Sequence, residues 1–216
     1  MKWLLRIFFR LLYHEFAWSY DLVAKLVSFG RWQEWGGRVI PFLEEGSLLE
    51  LGSGPGHLQR ALLESGRQAY GLELSPQMLR QSSRRLRRAG LQPSLIRGDG
   101  RFIPLRDNAV SNVVATFPTE YLFQPDTLKE IARVLTPSGK LVVLPMVFIT
   151  GRGILQRFVA WLYRVTGQSL SQEAFRQHDL FAAFTAAGFQ VIQHLVEERG
   201  ASLLVIEASP PDPGSG

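Results

Sequence analysis

Three glycines, Gly52, Gly54 and Gly56, follow the short apolar run 48–51 in the segment LLELGSGPGHL, residues 48–58. A buried strand ends there, glycines let the chain turn sharply, and N–H groups unblocked by side chains face the polar end of a ligand. A side chain at Gly52 or Gly54 would intrude on that ligand. The loop therefore reads as one that holds a nucleotide-containing cofactor. Its spacing is G-x-G-x-G, not the G-x-G-x-x-G of the dinucleotide fingerprint, which argues against a nicotinamide enzyme. A second acid supports this reading: Glu73 ends the apolar run 69–74, ~20 residues beyond the loop, where nucleotide-binding folds use a carboxylate to accept from ribose hydroxyls. The intervening helix is expected over 57–65. A third stretch, 96–117, ends one strand at Asp99-Gly100, carries Ile103-Pro104-Leu105 in a loop, and ends another strand near Phe117.

These motifs, in this order and spacing, resemble those of the class I S-adenosylmethionine-dependent methyltransferases, over about residues 45–208. The resemblance implies S-adenosylmethionine as cofactor and methyl transfer as activity, and it assigns roles position by position. Glu50 would organise the loop, and the backbone of Gly52, Ser53, Gly54 and Gly56 would surround the methionine moiety. Glu73 would take the ribose, with Leu74 and Met78 flanking the adenine. Asp99 would accept from the adenine amino group, Gly100 would offer its N–H to the ring, and Phe117 would lie near the reactive sulfonium. Tyr20-Asp21 is similar to a Tyr-Asp step that helps close the pocket, which adds Tyr20 to the cofactor residues. One departure stands out: family members often carry Phe-Asp just before the fourth strand, and this chain has Ser111-Asn112. Any role for that acid is absent here.

The elements that must position these residues alternate. Strands are expected over 47–51, 69–73, 94–97, 112–116, 140–145, 190–197 and 201–207, and helices over 4–29, 33–43 and 126–135. TPSGK at 136–140 is read as a turn, and AAGF at 186–189 as the close of a helix. Strand–helix alternation builds a parallel sheet covered on both faces. The last two strands flank Glu198-Arg199-Gly200, a connection so short that they must be antiparallel. The expected fold is α/β: a Rossmann-like, seven-stranded, mostly parallel sheet with helices on both faces and a C-terminal antiparallel hairpin. Residues 1–44 form a helical extension or lid, 45–208 the cofactor-binding domain, and 209–216, SPPDPGSG, a disordered tail.

Composition bounds the rest. The chain of 216 residues is 46% hydrophobic, has no cysteine, and carries a formal charge of +5. Its length and apolar content suffice for one sizeable core. Without cysteine there is no disulfide, thiolate metal site or cysteine nucleophile, and the reading is of a cytoplasmic enzyme. The four histidines, His14, His57, His178 and His194, are scattered without ligand spacing, so no metal is expected. Basic residues concentrate at Arg80, Arg84, Arg85, Arg87, Arg88, Arg97, Arg101 and Arg106. A face shared by Arg84, Arg85 and Arg88 reads as solvated, and a nucleic-acid partner is not expected, since no base-amine motif follows the fourth strand. An RNA or protein methyltransferase and a non-catalytic relative stand as alternatives.

The N-terminus makes a basic amphipathic helix, with Lys2, Arg6 and Arg10 at i, i+4 spacing among aromatic and leucine residues. It is too interrupted to span a bilayer. Residues 2–18 either lie on a membrane surface, for peripheral localisation, or pack as a lid. A second apolar segment, 147–167, includes Trp161, and the resemblance implies that it roofs the acceptor site. Two aromatic covers point to a small hydrophobic acceptor, such as a quinone, lipid or polyketide-like molecule, methylated on O, N or C. Glu120, Tyr121 and His178 are candidate bases, the first two because they follow the fourth strand at the carboxyl edge, where ligands bind. The oligomeric state stays open.

Overall fold

The computed structural model describes residues 31–149 and 177–211. Strand β1 (Leu48–Leu51) is buried at every position, as a short run covered on both faces must be. It is followed by helix α2 (His57–Glu64), β2 (Ala69–Glu73), α3 (Pro76–Arg88), β3 (Leu95–Arg97), β4 (Val110–Thr116), α4 (Pro125–Val134), β5 (Leu135–Ile149), α5 (Gln177–Ala186), β6 (Gln190–Glu198) and β7 (Ala201–Ser209). Helix α1 (Trp32–Gly37) precedes them. The seven strands form one sheet in the order β3-β2-β1-β4-β5-β7-β6. Neighbours among β1 to β5 run parallel, and β7 is antiparallel to both β5 and β6. The order reverses between β1 and β4, and in such sheets that reversal opens a crevice at the carboxyl ends of the two strands.

Alternation along the central strands divides the core. Leu49, Leu51, Val113, Ala115, Leu141 and Val143 pack with Leu128 and Ile131 of α4 and Phe184 of α5. Leu48, Val114, Val142 and Leu144 pack with Trp35 of α1 and Leu58 and Leu62 of α2 on the opposite face. Helices thus cover both faces, as expected. The final pair turns through Arg199-Gly200, with Glu198 opposite Ala201 and Gly200 at φ +78. The close of α5 is also as expected: Gly188 has φ +82, and the Phe189 N–H donates to the Phe184 carbonyl at 2.9 Å, as in a glycine-terminated helix.

Three expectations need correction. The helix expected over 33–43 is the short α1 followed by a 3-10 turn, Ile40–Phe42, because Gly36-Gly37 and Pro41 each interrupt α-helical propagation. The turn expected at 136–140 is not a free connection. Leu135 pairs with Val110 directly after α4 ends, and pairing resumes at Asn112 with Lys140, so 136–139 bulge from the ladder of β5. The face shared by Arg84, Arg85 and Arg88 is only partly solvated: Arg84 and Arg88 are exposed, whereas Arg85 is half-buried and donates to the Pro55 carbonyl. Helix 4–29, Tyr20, Trp161, most of segment 147–167 and most of the tail lie outside the described residues.

Candidate functional site

Backbone hydrogen bonds carry β1 straight into the glycine loop. The N–H groups of Gly52 and Ser53 both donate to the Leu72 carbonyl, at 2.8 and 3.1 Å. Gly52 then adopts φ +70, and a Cβ added there would stand 2.8 Å from the Tyr121 hydroxyl. At Gly56, φ is +81 and a Cβ would meet Ser82 Oγ at 2.2 Å and Ser82 Cα at 3.0 Å. Glycine is needed at both positions, for the left-handed backbone and for the close approach of what lies opposite. At Gly56 that approach brings α2 against α3.

Two carboxylates converge on this loop. Glu73 receives the Gly54 N–H on Oε2 at 2.8 Å and the Ser75 N–H on Oε1 at 2.7 Å, linking the loop to the start of α3. Glu50 is the one charged residue of β1 and is only 2% exposed. Its Oε2 has no hydrogen-bond partner among the described residues. Burial pushes its carboxyl well above the ordinary range, and the nearby Glu73 charge adds to the effect. The Ser53 hydroxyl is likewise buried, without a partner among the described residues.

Tyr121 lies in a 3-10 turn, Glu120–Phe123. Expected on the acceptor side, it reaches the glycine loop: its hydroxyl faces Gly52, and its ring lies 3.5 Å from where a Gly100 Cβ would be. Burial first, then the charges of Glu73 and Glu50, push its hydroxyl above the ordinary tyrosine value. Glu120 is exposed. Asp99, next to Gly100, accepts from Arg101 Nη2 at 2.6 Å and from the Arg101 N–H at 2.9 Å. Those bonds hold its carboxyl below the usual range. Leu74 is 63% exposed at the end of β2, Met78 is half-buried on α3, and His178 falls in α5.

Phe117, directly after β4, adopts φ +51, a region that bulky residues rarely occupy. Its N–H donates to the Leu144 carbonyl at 2.7 Å. Its ring packs with the α1 and α2 side of the core, whereas Tyr121 packs with the α4 side. The two aromatics therefore bracket the end of β4 from opposite faces of the sheet.

Two supporting groups were not singled out from the sequence, and a third, Asn112, was noted there only as a departure from the family pattern. Trp32 of α1 stacks on Phe117, with centroids 3.6 Å apart and planes 25° from parallel. Arg133 donates to both Glu130 oxygens, at 2.7 and 2.8 Å, and to the carbonyls of Leu105 and Ile103, at 2.8 and 2.9 Å. Glu130 in turn accepts the Ile103 N–H at 2.8 Å, so α4 clasps the loop that begins at Gly100. Asn112 is fully buried and bonds both the N–H and the carbonyl of Glu44, at 2.9 and 3.1 Å. The Glu130 to Arg133 spacing on one helix was the available signal for the clasp. Nothing local to Trp32 or Asn112 marks its partner.

Residues 49–143 match the family model described as a methyltransferase domain. The chain is 32% identical over 139 residues to the demethylmenaquinone methyltransferase of Thermus thermophilus, covering 62% of this chain and 63% of that relative. It is 26% identical over 202 residues to the demethylmenaquinone methyltransferase of Chlamydia pneumoniae, covering 83% and 86%. The match to the Thermus relative thus spans less than two thirds of that protein's length. Among solved structures, a SAM dependent methyltransferase from Aquifex aeolicus superposes with a TM-score of 0.62 at 19% identity, over 89% of this chain and 95% of that one. That likeness speaks for the fold.

Proposed function

We propose that this chain, a member of the class I S-adenosylmethionine-dependent methyltransferases, transfers a methyl group from S-adenosylmethionine to a small hydrophobic acceptor, with a quinone-type ring as the favoured class. The observation that carries the reading is the pair of carboxylates at the glycine loop. Glu50 keeps a buried oxygen without a partner among the described residues and stands near Glu73. A buried carboxyl with an unsatisfied oxygen beside a second carboxylate suits a ligand that brings positive charge and hydroxyl donors. S-adenosylmethionine offers an ammonium, a sulfonium and two ribose hydroxyls, so these residues fit it.

The assignments follow from that fit. Gly52, Ser53, Gly54 and Gly56 hold the methionine moiety, Glu73 takes the ribose, and Leu74 and Met78 flank the adenine. The exposure of Leu74 leaves its side chain available for that contact. Asp99 and the Gly100 N–H read the adenine edge and Phe117 borders the sulfonium, while Tyr20, outside the described residues, is assigned to the same cofactor. Glu120 and Tyr121 line the acceptor side, to which Trp161, also outside the described residues, is assigned.

When bound, S-adenosylmethionine would supply an already activated methyl group, with a neutral thioether as its leaving group. The protein's work is then positioning and exclusion of water. Phe117 and Tyr121 provide an apolar frame at the switch point, and the raised Tyr121 hydroxyl stays protonated as a hydrogen-bond donor. The quinone-type acceptor is supported by the names of the relatives, and lipophilic acceptors partition into bilayers. That makes peripheral membrane contact through residues 2–18 part of the proposal, in a cytoplasmic protein. Among the described residues, no helix is long and apolar enough to cross a membrane.

The test is calorimetric titration of the purified chain with S-adenosylmethionine and S-adenosylhomocysteine, beside NAD, repeated on Glu73→Ala and Asp99→Ala. Micromolar binding of both sulfur ligands, weakened in both variants, is expected. A chain that binds NAD and neither sulfur ligand would refute the proposal. Labelled methyl transfer to a tail-less hydroquinone then tests the acceptor class.

A further inference from the structure

The Asp99 carboxylate, in the loop after β3, is gripped by a residue only two positions further on. The Arg101 N–H donates to Oδ1 at 2.9 Å, Nε reaches Oδ1 and Oδ2 at 3.1 and 3.2 Å, and Nη2 donates to Oδ2 at 2.6 Å. A fork of this kind holds both oxygens at once and fixes the plane of the carboxylate, which a point charge does not. The loop beneath is tied down as well. The Gly98 N–H donates to the Glu73 carbonyl at 3.2 Å, and the Phe102 N–H to the Asp99 carbonyl at 3.0 Å. Asp126, at the start of α4, adds its own attraction for the guanidinium. Neither side chain is enclosed, with Asp99 26% and Arg101 48% exposed, so a ligand can reach the gripped carboxylate. Two carboxylate oxygens offer about four lone-pair directions. Oδ1 takes the backbone N–H and Nε, whereas Oδ2 takes Nη2 and only the longer, shared contact from Nε. Among the described residues, Oδ2 therefore keeps capacity for one further donor.

We propose that Arg101 is a positioning residue, whose fork fixes Asp99 as a rigid acceptor so that the pocket takes a nucleobase with an exocyclic amino group and rejects one with a carbonyl in its place. This rests on the methyltransferase reading above, in which Asp99 meets the adenine amino group. A loose carboxylate that faces a carbonyl turns aside or takes up a water. A gripped one does neither, and two acceptors then face each other with no proton between them, which weakens binding of the wrong base. The bonds from Arg101 also hold the Asp99 carboxyl below its usual range, so it stays ionised and has no proton to offer that carbonyl. Arginine suits the task because it donates and never accepts, and its paired N–H groups match the two oxygens. Arg101 acts on the base through Asp99, without a contact of its own.

The experiment is calorimetric titration of the full chain with S-adenosylhomocysteine and with S-inosylhomocysteine, which carries a carbonyl where adenine has its amino group. The quantity read is the ratio of the two affinities, because a merely structural role for Arg101 would weaken both ligands alike and leave the ratio unchanged. Wild type is expected to favour the adenine ligand by about tenfold to a hundredfold. R101Q, which loses the charge and the fork, is expected to lower that ratio about fivefold, and R101K, which keeps the charge alone, to fall between the two. The ratio does not reach one in either variant, since the Gly100 N–H still opposes the N1–H of the inosine base. If R101Q keeps the wild-type ratio, or R101K restores it in full, the fork is refuted as the source of selectivity and the methyltransferase reading stands. If S-adenosylhomocysteine fails to bind wild type, both fall.

Discussion

Glu50 carries the sharpest consequence at the scale of single residues. Its carboxyl titrates above the ordinary range because burial disfavours the charge and Glu73 repels it. Between the unfolded and the raised folded value, the native state therefore holds more protons than the unfolded chain, and stability falls as pH rises through that window. E50Q removes this penalty. Without cofactor, E50Q is expected to melt at a higher temperature than wild type at pH 8 and at the same temperature near pH 4, followed by circular dichroism; a difference constant with pH would contradict the argument. The same variant is expected to bind S-adenosylmethionine about tenfold more weakly, since a charge-assisted contact contributes about 1.5–3 kcal/mol. Gly52→Ala is a second case, with φ +70 and the Tyr121 hydroxyl 2.8 Å from the added carbon. It is expected to lower stability by about 1–2 kcal/mol in urea unfolding. Gly52 and Glu73 were legible from type and spacing. The partnerless state of Glu50 Oε2 was not, because it depends on what surrounds a strand that reads simply as buried.

At the scale of elements, the clasp from α4 to the loop after β3 decides how rigidly Asp99 and Gly100 are presented. Arg133 reaches Glu130, Asp107 and two carbonyls through its three nitrogens, with Nη1 serving both Asp107 and the Leu105 carbonyl, a fork that only a guanidinium supplies. Arg133→Ala is expected to cost about 2–3 kcal/mol in urea unfolding, and Arg133→Lys to recover little of it. The Arg133 guanidinium, and then the Ile103 N–H, hold the Glu130 carboxyl below its usual range, against a desolvation effect that opposes them. The contribution of this pair is therefore complete above the unfolded carboxylate value and is lost as pH falls through the folded one, opposite in sign to Glu50. The order of strands and helices was readable because periodicity and turn residues are local. The joint between α4 and β5 was not, since Leu135 enters the ladder at once by pairing with Val110, which the apparent turn TPSG conceals.

For the whole molecule, ligand binding and folding are linked. If the pocket takes S-adenosylhomocysteine only when folded, the ligand at a hundred times its dissociation constant adds about 2.7 kcal/mol of stability. A chain of this size should then melt roughly 5–10 °C higher. Differential scanning calorimetry checks this, with Glu73→Ala expected to show a smaller shift at equal ligand concentration. The amino-acid sequence by itself determined the alternation of strands and helices, the reversed β7 and the glycine loop with its following acid. Each of these follows from interactions within a few residues: burial on both faces, a connection too short for a crossover, a backbone that must turn without side chains. Tertiary structure alone decided that Tyr121 closes onto Gly52 and Gly100, that Trp32 stacks on Phe117, and that Asn112 ties Glu44 to the sheet. Those pairs join distant parts of the chain, and which side chains meet at the switch point depends on how the sheet brings β1 and β4 together.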